Sequence, residues 1–333
     1  MSAQRVPLNF FAMPFGIAGL AEVWLTASQH GRAPVAVANT LAALAALLWL
    51  GIVLAYGRYA LAEKGALRRD LQDLTAGPFA ALILITPMML SYESLAPYAH
   101  TAGKVVIDVF LVLVLLLGGW FTGQWIYGPL DVDRLHPGYF LPTVAGGLIA
   151  SASATSVGQV RLGQIMLGLG LVCWLILGSM ILARLVFRPP LPPALQPTLA
   201  IEVAPPAVAS LAWFTLYGGR PGLVTAALAG YGLLMVLAQI RLLPMFLRLS
   251  FAPSFWAFTF SWAAVAAVAV QWSEADHPAG HVVYTYLLLA AITLLIGGVA
   301  VRTLMAALRG ELLPKPPAES AVLPDRPLAP QVH

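Results

Sequence analysis

Two acidic residues, Glu22 and Glu202, lie inside long apolar stretches of the sequence. An ionisable group at membrane depth normally faces a bundle interior or an aqueous path, and transporters use such acids as proton or ion sites. No basic residue or Asn/Asp cluster accompanies either acid in the sequence. A hydrogen-bonded role near a helix end therefore stays open beside the role of a proton or ion site.

The second acid, Glu202, comes three residues before Pro205 and Pro206. Each proline removes a backbone donor and collides with the carbonyl one turn earlier, so the pair cannot sit inside a regular helix. In lipid such a break is tolerated only where the freed carbonyls face protein or a water-filled cavity. The stretch 198–217 is therefore interpreted as one wall of a permeation pathway.

Aromatic residues crowd a later apolar stretch, 253–264. Phe255, Phe258 and Trp262 recur at helical spacing, so they are expected to share one face that packs or meets lipid. Phe260 is offset from them and is expected to point inward, where a ring can close a narrow pore by occlusion or dewetting. Its neighbour Thr259 is included among the expected pore-lining residues.

Small residues lie beside two of the proline positions, at Gly16 after Pro14 and at Gly146 after Pro142. A glycine there either lets helices pack closely or leaves room for a permeant next to exposed backbone N–H groups. Both interpretations stay open. The residues expected to line a pathway besides Phe260 are Pro14, Phe15, Gly16, Pro87, Pro142, Gly146, Pro205, Pro206 and Thr259.

Catalytic chemistry has no support in the sequence. There is no phosphate-binding loop, no His-Glu-x-x-His, no Gly-x-Ser-x-Gly and no cysteine pair, since Cys173 is the only cysteine. His136, His277 and His281 fall in predicted loops or at span ends, where solvation is the expected role rather than metal ligation. We therefore predict no catalytic residue, cofactor or metal, and no nucleic-acid partner, because the basic residues are scattered singly.

The elements that must position these residues are membrane spans. The chain has 333 residues, of which 60% are hydrophobic and only 10% charged, with a mean hydropathy of +0.84. An ordinary globular domain is about 25% charged, so the composition predicts an all-α polytopic membrane protein. About ten apolar runs have the length needed to cross a bilayer. They cover residues 8–27, 35–61, 78–96, 105–127, 139–157, 162–187, 199–217, 223–243, 253–272 and 282–308.

Proline alternates along these runs. The odd spans carry Pro14, Pro87, Pro142, Pro205 with Pro206, and Pro253, whereas the even spans have prolines only at their starts. We interpret the pattern as five helical hairpins whose kinked odd members form an inner ring around a pathway and whose even members form an outer wall. The alternative is that prolines merely lie near helix ends, where they cost little.

Loop charges predict the orientation. Most Arg and Lys residues fall in loops on the side of Arg5, whereas the opposite loops have fewer of them and contain Glu93, Glu274 and Asp276. Both termini are therefore expected in the cytoplasm of a bacterium, with the protein in its inner membrane. Residues 1–310 are expected to form a single transmembrane domain, with 8–26 as its first span rather than a cleaved signal peptide. Residues 311–333 are proline-rich and predicted to be a disordered cytoplasmic tail.

Three segments together resemble a known family. They are Phe-Gly-Ile at 15–17, Glu-Val-Ala-Pro-Pro-Ala-Val-Ala-Ser at 202–210, and Phe-Trp-Ala-Phe-Thr-Phe-Ser at 255–261. The chain resembles the tellurite-resistance and dicarboxylate-transporter family, which includes bacterial TehA and the slow anion channels of plant guard cells. The resemblance implies a homotrimer with one pore per subunit, plugged by Phe260, with Gly16 as the small residue opposite the plug. Ser261 follows the plug where plant members tend to carry proline.

Two functions follow as expectations. The first is an anion channel or channel-like exporter that passes small inorganic or organic anions and is gated by Phe260. The second is a proton-coupled transporter of C4-dicarboxylates, or an exporter of sulfite or tellurite-type oxyanions, with Glu22 or Glu202 as the proton site.

Overall fold

The outer wall consists of five long α-helices in a computed structural model that describes residues 5–128 and 130–313. Each of these helices follows a shorter inner helix, and only a short turn separates the two members of a pair. The described part of the chain is entirely helical apart from its turns. The outer helices are α2 Val35–Ala62, α5 His100–Tyr127, α7 Val160–Phe187, α9 Leu223–Phe246 and α11 His281–Leu308.

The inner helices are shorter and begin irregularly. They are α1 Ala12–Gln29, α4 Ala81–Leu90, α6 Gly146–Ser156, α8 Ala204–Tyr217 and α10 Ala257–Asp276, and the remaining helix, α3 Ala66–Gln72, lies in the connection from α2 to α4. Each inner helix is preceded by a 3-10 or π turn. These turns are Leu8–Phe11, Gly77–Ala80, Pro137–Phe140 with Leu141–Ala145, Gln196–Val203, and Pro253–Trp256.

Proline explains why the irregular turns lie where they do. A helix's first turn has backbone donors without intrahelical partners, so a residue that lacks an N–H costs little there. Pro205 and Pro206 accordingly lie in the first turn of α8, directly after a 3-10 helix of eight residues, Gln196–Val203. The helix break predicted at these prolines is therefore a change from a 3-10 helix to an α-helix. Pro87 is the exception, because it lies well inside α4.

The inner helices form a closed ring in the order α1, α4, α6, α8, α10, with α10 packing back on α1. In four inner spans 50–83% of the residues are buried, against 17–28% in the five outer helices. The fifth inner segment, Pro137–Ser156, is almost entirely buried. The predicted all-α fold, with an inner ring of kinked odd spans and an outer ring of even spans, is confirmed.

Some details differ from the prediction. Nine helices in the described residues are long and apolar enough to cross a membrane, and the tenth segment, Pro137–Ser156, is weakened by its Gly, Ser and Thr residues. Pro244 lies in the last turn of the outer helix α9, so proline is not confined to the inner spans. The single-domain assignment of residues 1–310 stays a prediction. Most of the predicted disordered tail, residues 314–333, lies outside the described residues.

Close helix approach within one hairpin depends on glycine. A Cβ added at Gly147 of α6 would lie 2.8 Å from the backbone N of Gly170 in α7, and one at Gly170 would lie 2.7 Å from the side chain of Leu148. Glycines at the crossing let the two backbones approach, as in other membrane helix pairs. The α6–α7 hairpin is therefore sensitive to the smallest added side chain.

An ion pair between the partly exposed Arg32 and the buried Glu274 joins the turn after α1 to the end of α10. The guanidinium of Arg32 donates from Nε and one Nη to the two carboxylate oxygens of Glu274, both at 2.9 Å. The hydroxyl of Thr285 donates to Glu274 Oε1 at 3.1 Å. The hydrogen bond to Glu274 raises the pKa of Arg32 above its usual value. Sequence reasoning placed Glu274 in a loop, whereas it lies in the last turns of α10.

His136 is fully buried rather than solvated, which corrects the expectation for this loop. Its Nδ1 accepts a hydrogen bond from the backbone N of Gly138 at 3.2 Å, and its Nε2 lies 3.1 Å from the carbonyl oxygen of Thr75. Its ring also stacks near that of Phe79. Burial lowers the pKa of His136 to about 4, because a buried imidazolium loses its hydration.

We expect acid to destabilise the fold through His136. Neutral His136 contributes fully to the free energy of unfolding above pH 6.5, which is about the pKa of the side chain in the unfolded protein. This contribution is lost as the pH falls toward about 4, the pKa of His136 in the folded protein. Between pH 7 and pH 5 the loss is about 2 kcal/mol. The measurement is the thermal midpoint in detergent at both pH values for wild type, His136→Asn and, as a control, the exposed His100→Asn. The assignment is wrong if His136→Asn keeps the full acid-dependent drop.

Candidate permeation pathway

A narrow cavity lies between the amino-terminal parts of the five inner spans. Its volume is about 40 Å³, which is room for a few water molecules or a small ion. Apart from Ser261 and the indole of Trp256, its lining is apolar. We call it the amino-end cavity; it is lined by Ala12, Phe15, Phe79, Leu82, Phe140, Leu141, Val144, Ala145, Leu148, Ile201, Ala204, Pro205, Val208, Trp256, Ala257, Phe260 and Ser261.

Two stacked aromatic rings form part of the lining of this cavity. Phe260 of α10 and Phe15 of α1 stack with their ring centroids 3.8 Å apart and their planes 24° apart. Phe15 is 3% exposed and Phe260 6% exposed, so little of either ring is free. Phe260 therefore lines the cavity as one of a pair of stacked rings contributed by two neighbouring inner helices.

Two glycines of α1 permit the close approach to α10. A Cβ added at Gly16 would overlap the side chain of Thr259, and one added at Gly19 would lie 2.9 Å from the ring of Phe260. Thr259 is itself held by its hydroxyl, which donates to the carbonyl of Trp256 at 2.7 Å. The added Cβ nearest the Phe260 ring is thus that of Gly19, while the one at Gly16 lies nearest Thr259.

A wider cavity lies between the carboxyl-terminal parts of the same five spans, and its volume is about 330 Å³. It shares no lining residue with the amino-end cavity. We call it the carboxyl-end vestibule; it is lined by Glu22, Leu25, Thr26, Gln29, Tyr92, Glu93, Pro97, Ser156, Leu211, Phe214, Thr215, Gly219 and Gln271. All five inner spans therefore run in the same direction, with a cavity at each end of the ring.

Comparison with known proteins decides the family. Residues 5–304 match the SLAC1 family, whose description is voltage-dependent anion channel. The chain belongs to the SLAC1 family. This confirms the resemblance drawn from the three segments at 15–17, 202–210 and 255–261.

Two kinds of known proteins, one bacterial and one from plants, are similar to the chain. A tellurite resistance protein TehA homolog of Haemophilus influenzae is 27% identical over 78% of this chain and 79% of its own length. The guard cell S-type anion channel SLAC1 of Arabidopsis thaliana is 25% identical over 46% of this chain. The S-type anion channel SLAH2 of the same plant is 24% identical over 91% of this chain. The alignments span 28% and 59% of the two plant channels' lengths.

Only some of the expected pore-lining residues of this SLAC1-family chain line one of the two cavities. Phe15, Phe260 and Pro205 line the amino-end cavity, whereas Pro14, Pro87, Pro142 and Thr259 line neither cavity. A Cβ at Gly146 would meet Val114 of the outer helix α5, so this glycine packs against the outer ring. Pro206 lines an outside groove beside Gly232 of α9.

Glu22 and Glu202, the two acids predicted as possible proton or ion sites, lie in different environments. Glu22 lines the carboxyl-end vestibule and accepts a hydrogen bond from the hydroxyl of Tyr92 at 2.6 Å. Glu202 is 5% exposed and lines neither cavity, and its Oε1 has no hydrogen-bond partner among the described residues. One of the two acids, Glu22, therefore lines a cavity of the inner ring and the other does not.

Sequence reasoning missed Tyr92 and Glu93 as vestibule residues, because it grouped Glu93 with the loop charges. Both residues lie in a π-helical segment, Ser91–Leu95, that continues α4. The signal was present, since the apolar run predicted over 78–96 already contained Glu93.

Three possible metal ligands meet at the end of α10. Ligand atoms of Glu274, His277 and His281 lie within 4.8 Å of one another. The carboxylate of Glu274 is, however, already bound by the guanidinium of Arg32 through both oxygens. A metal ion would have to displace a bidentate ion pair, so we interpret the cluster as a link between helices.

Proposed function

We propose that this chain is an anion channel that passes small anions through the ring of inner helices and is closed by Phe260 stacked on Phe15. The observation that carries the proposal is the stack itself. Both rings line the amino-end cavity, and all five inner spans contribute to this cavity and to the vestibule at the other end of the ring. Membership of a family described as voltage-dependent anion channels supports the same conclusion.

The lining of the cavities supports weak, fast passage rather than tight binding. Among the described residues, no Arg or Lys lines either cavity. Five inner spans present their amino-terminal turns to the amino-end cavity, and helix amino ends carry partial positive charge. An anion would be stabilised there by backbone dipoles, and selectivity would follow from the cost of removing its water.

Anion flux into vesicles tests the proposal. Purified Phe260→Ala protein, which lacks the proposed closure, is reconstituted into liposomes, and uptake of chloride, nitrate, sulfite and malate is followed under a potassium diffusion potential with equal pH on both sides. We expect flux of at least one anion to follow the membrane potential without any proton gradient. Protein-free liposomes provide the control. Flux that requires a proton gradient would contradict the channel proposal.

The rival function is a proton-coupled carrier of C4-dicarboxylates or an exporter of sulfite or tellurite-type oxyanions. One observation favours it, which is the position of Glu22 in the vestibule. If Glu202 were the proton site, Glu202→Gln would abolish proton-driven uptake. We favour the channel because Glu202 lies outside both cavities, and we propose no catalytic role for any residue.

Assembly and location complete the proposal. We propose a homotrimer in a bacterial inner membrane with both termini in the cytoplasm. The exposed apolar faces of the five outer helices support contact with lipid or with other subunits. The distribution of basic residues supports the orientation. Mass determination of the purified protein in detergent tests the oligomeric state.

A further inference from the structure

The carboxyl-end vestibule contains a carboxyl group with no partner. Glu93 is 2% exposed, and neither of its carboxylate oxygens has a hydrogen-bond donor among the described residues. Its side chain lines the vestibule. A buried carboxylate without a donor or a counter-ion is unfavourable in the ionised form, and an acid at membrane depth marks a functional site by default.

A second acid faces the same vestibule from the neighbouring helix. Glu22 of α1 has a donor, the hydroxyl of Tyr92 at 2.6 Å, and Tyr92 is the residue next to Glu93. Two carboxyl groups facing one enclosed space repel each other when both are ionised. Only one of them, Glu22, has a hydrogen bond that favours its ionised form.

The backbone at Glu93 is also unusual. Ser91–Leu95 is a π-helix, in which the N–H of Ala96 donates to the carbonyl of Ser91 at 2.7 Å. The hydroxyl of Ser91 donates to the carbonyl of Gly103 in α5 at 2.9 Å, which fixes this segment to the outer ring. Single π turns are rare and occur frequently at functional sites.

We propose that Glu93 and Glu22 form a proton-binding site in the carboxyl-end vestibule, and that an anion passes when Glu93 is protonated. The inference rests on the proposed anion conduction. With both acids ionised, two negative charges border the path and repel the anion. Transfer of a proton from hydronium to a Glu93 oxygen forms one O–H bond, releases water and removes one of those charges.

A proton fits this site better than a metal ion. Divalent hard cations take six or more oxygen ligands, with carboxylates among the strongest. The vestibule offers only two carboxyl groups, one of which already accepts from Tyr92, and its other side-chain oxygens are neutral hydroxyls and amides. Three bonded clusters of other charged or titratable groups lie at this end of the ring: His30 with Gln271, Lys104 with Asp108, and Arg32 with Glu274 and His281. Further charged or titratable groups in the turns and helix ends here do not line the vestibule; they include His100, Arg161, Arg220, Asp276 and His277.

The test uses a channel whose ring closure has been removed. Currents are recorded from Phe260→Ala in a planar bilayer while the pH on the vestibule side is changed from about 7.5 to about 5. We expect the anion current to rise several-fold on acidification. In Phe260→Ala with Glu93→Gln, the current should be high at both pH values, because the amide is neutral. Phe260→Ala with Glu202→Gln should keep the acid response, since Glu202 lies outside the vestibule.

The outcomes separate this inference from the proposed function. Absence of any anion current from correctly folded Phe260→Ala contradicts anion conduction itself. Anion current that is independent of pH, or that keeps its acid response in Glu93→Gln, overturns the proton site. Activation by Ca²⁺ or Na⁺ at constant pH would replace the proton with a metal cation and also overturn it. Glu93→Asp serves as the folding control and should restore the acid response.

Discussion

Replacement of Phe260 by alanine is expected to raise the anion current on the order of tenfold or more. The ring stacks at 3.8 Å on Phe15 beside the amino-end cavity, so removing it opens space and ends the ring contact. Each 1.4 kcal/mol removed from the barrier is tenfold in rate, and a ring in a narrow pore acts by occlusion or dewetting. The measurement is the current in a planar bilayer with chloride, nitrate, sulfite and malate.

A matched control exists on the same helix. Phe258 packs edge-to-face on Phe246 of α9, with ring centroids 4.9 Å apart, and lines neither cavity. Phe258→Ala should leave the current near the wild-type value. Because the closure is a pair, Phe15→Ala should also raise the current, and the double variant should conduct at least as well as Phe260→Ala. Equal currents in wild type, Phe260→Ala and the double variant would refute the gate.

The second large effect concerns stability. Gly170→Ala is expected to destabilise the protein by about 1–3 kcal/mol, the usual range for overpacking. The added Cβ would lie 2.7 Å from Leu148 Cγ and 2.9 Å from its backbone N, so a backbone must move. The measurement is the thermal midpoint of the detergent-solubilised protein, followed by size-exclusion chromatography after heating.

The control is two residues away on the same helix. A Cβ at Gly168 would meet nothing within 4 Å, and its backbone angles are helical. Gly168→Ala should therefore be neutral, or stabilising by about 0.5–1 kcal/mol, since alanine is the better helix former. If both variants behave alike, the α6–α7 crossing is not as tightly packed as described.

Hydropathy predicted the membrane spans because each outer helix is a continuous apolar run. The alternation of prolines then assigned spans to the inner and outer rings correctly. Those predictions succeed because the physical requirement is local: lipid needs apolar side chains, and proline needs a place where its missing N–H costs little. The 3-10 and π turns before the inner helices were not predicted, since their choice over a kinked α-helix depends on packing.

The candidate site was less accessible from the sequence. Phe260 is offset from the face shared by the other aromatic residues, and this offset predicted that its ring points inward. The stacking of its ring on Phe15 became visible only in the structure, which shows α1 beside α10. Glu93 was assigned to the loop charges that indicate membrane orientation, because it lies close to the predicted end of its span. Only the structure shows that the helix continues past it and buries it. Which glycine faces the ring, Gly19 or Gly16, likewise depends on the rotation of α1.

The length of the outer helices has a mechanical consequence. Four of them have 28 residues, which corresponds to about 42 Å at 1.5 Å per residue, whereas the hydrocarbon core of a bilayer is about 30 Å thick. The excess must extend into the headgroup regions or be absorbed by tilt. Short turns join each outer helix to the inner helix before it. We therefore expect a change in the tilt of the outer helices, as in a thinner bilayer, to displace the connected ends of the inner helices as well.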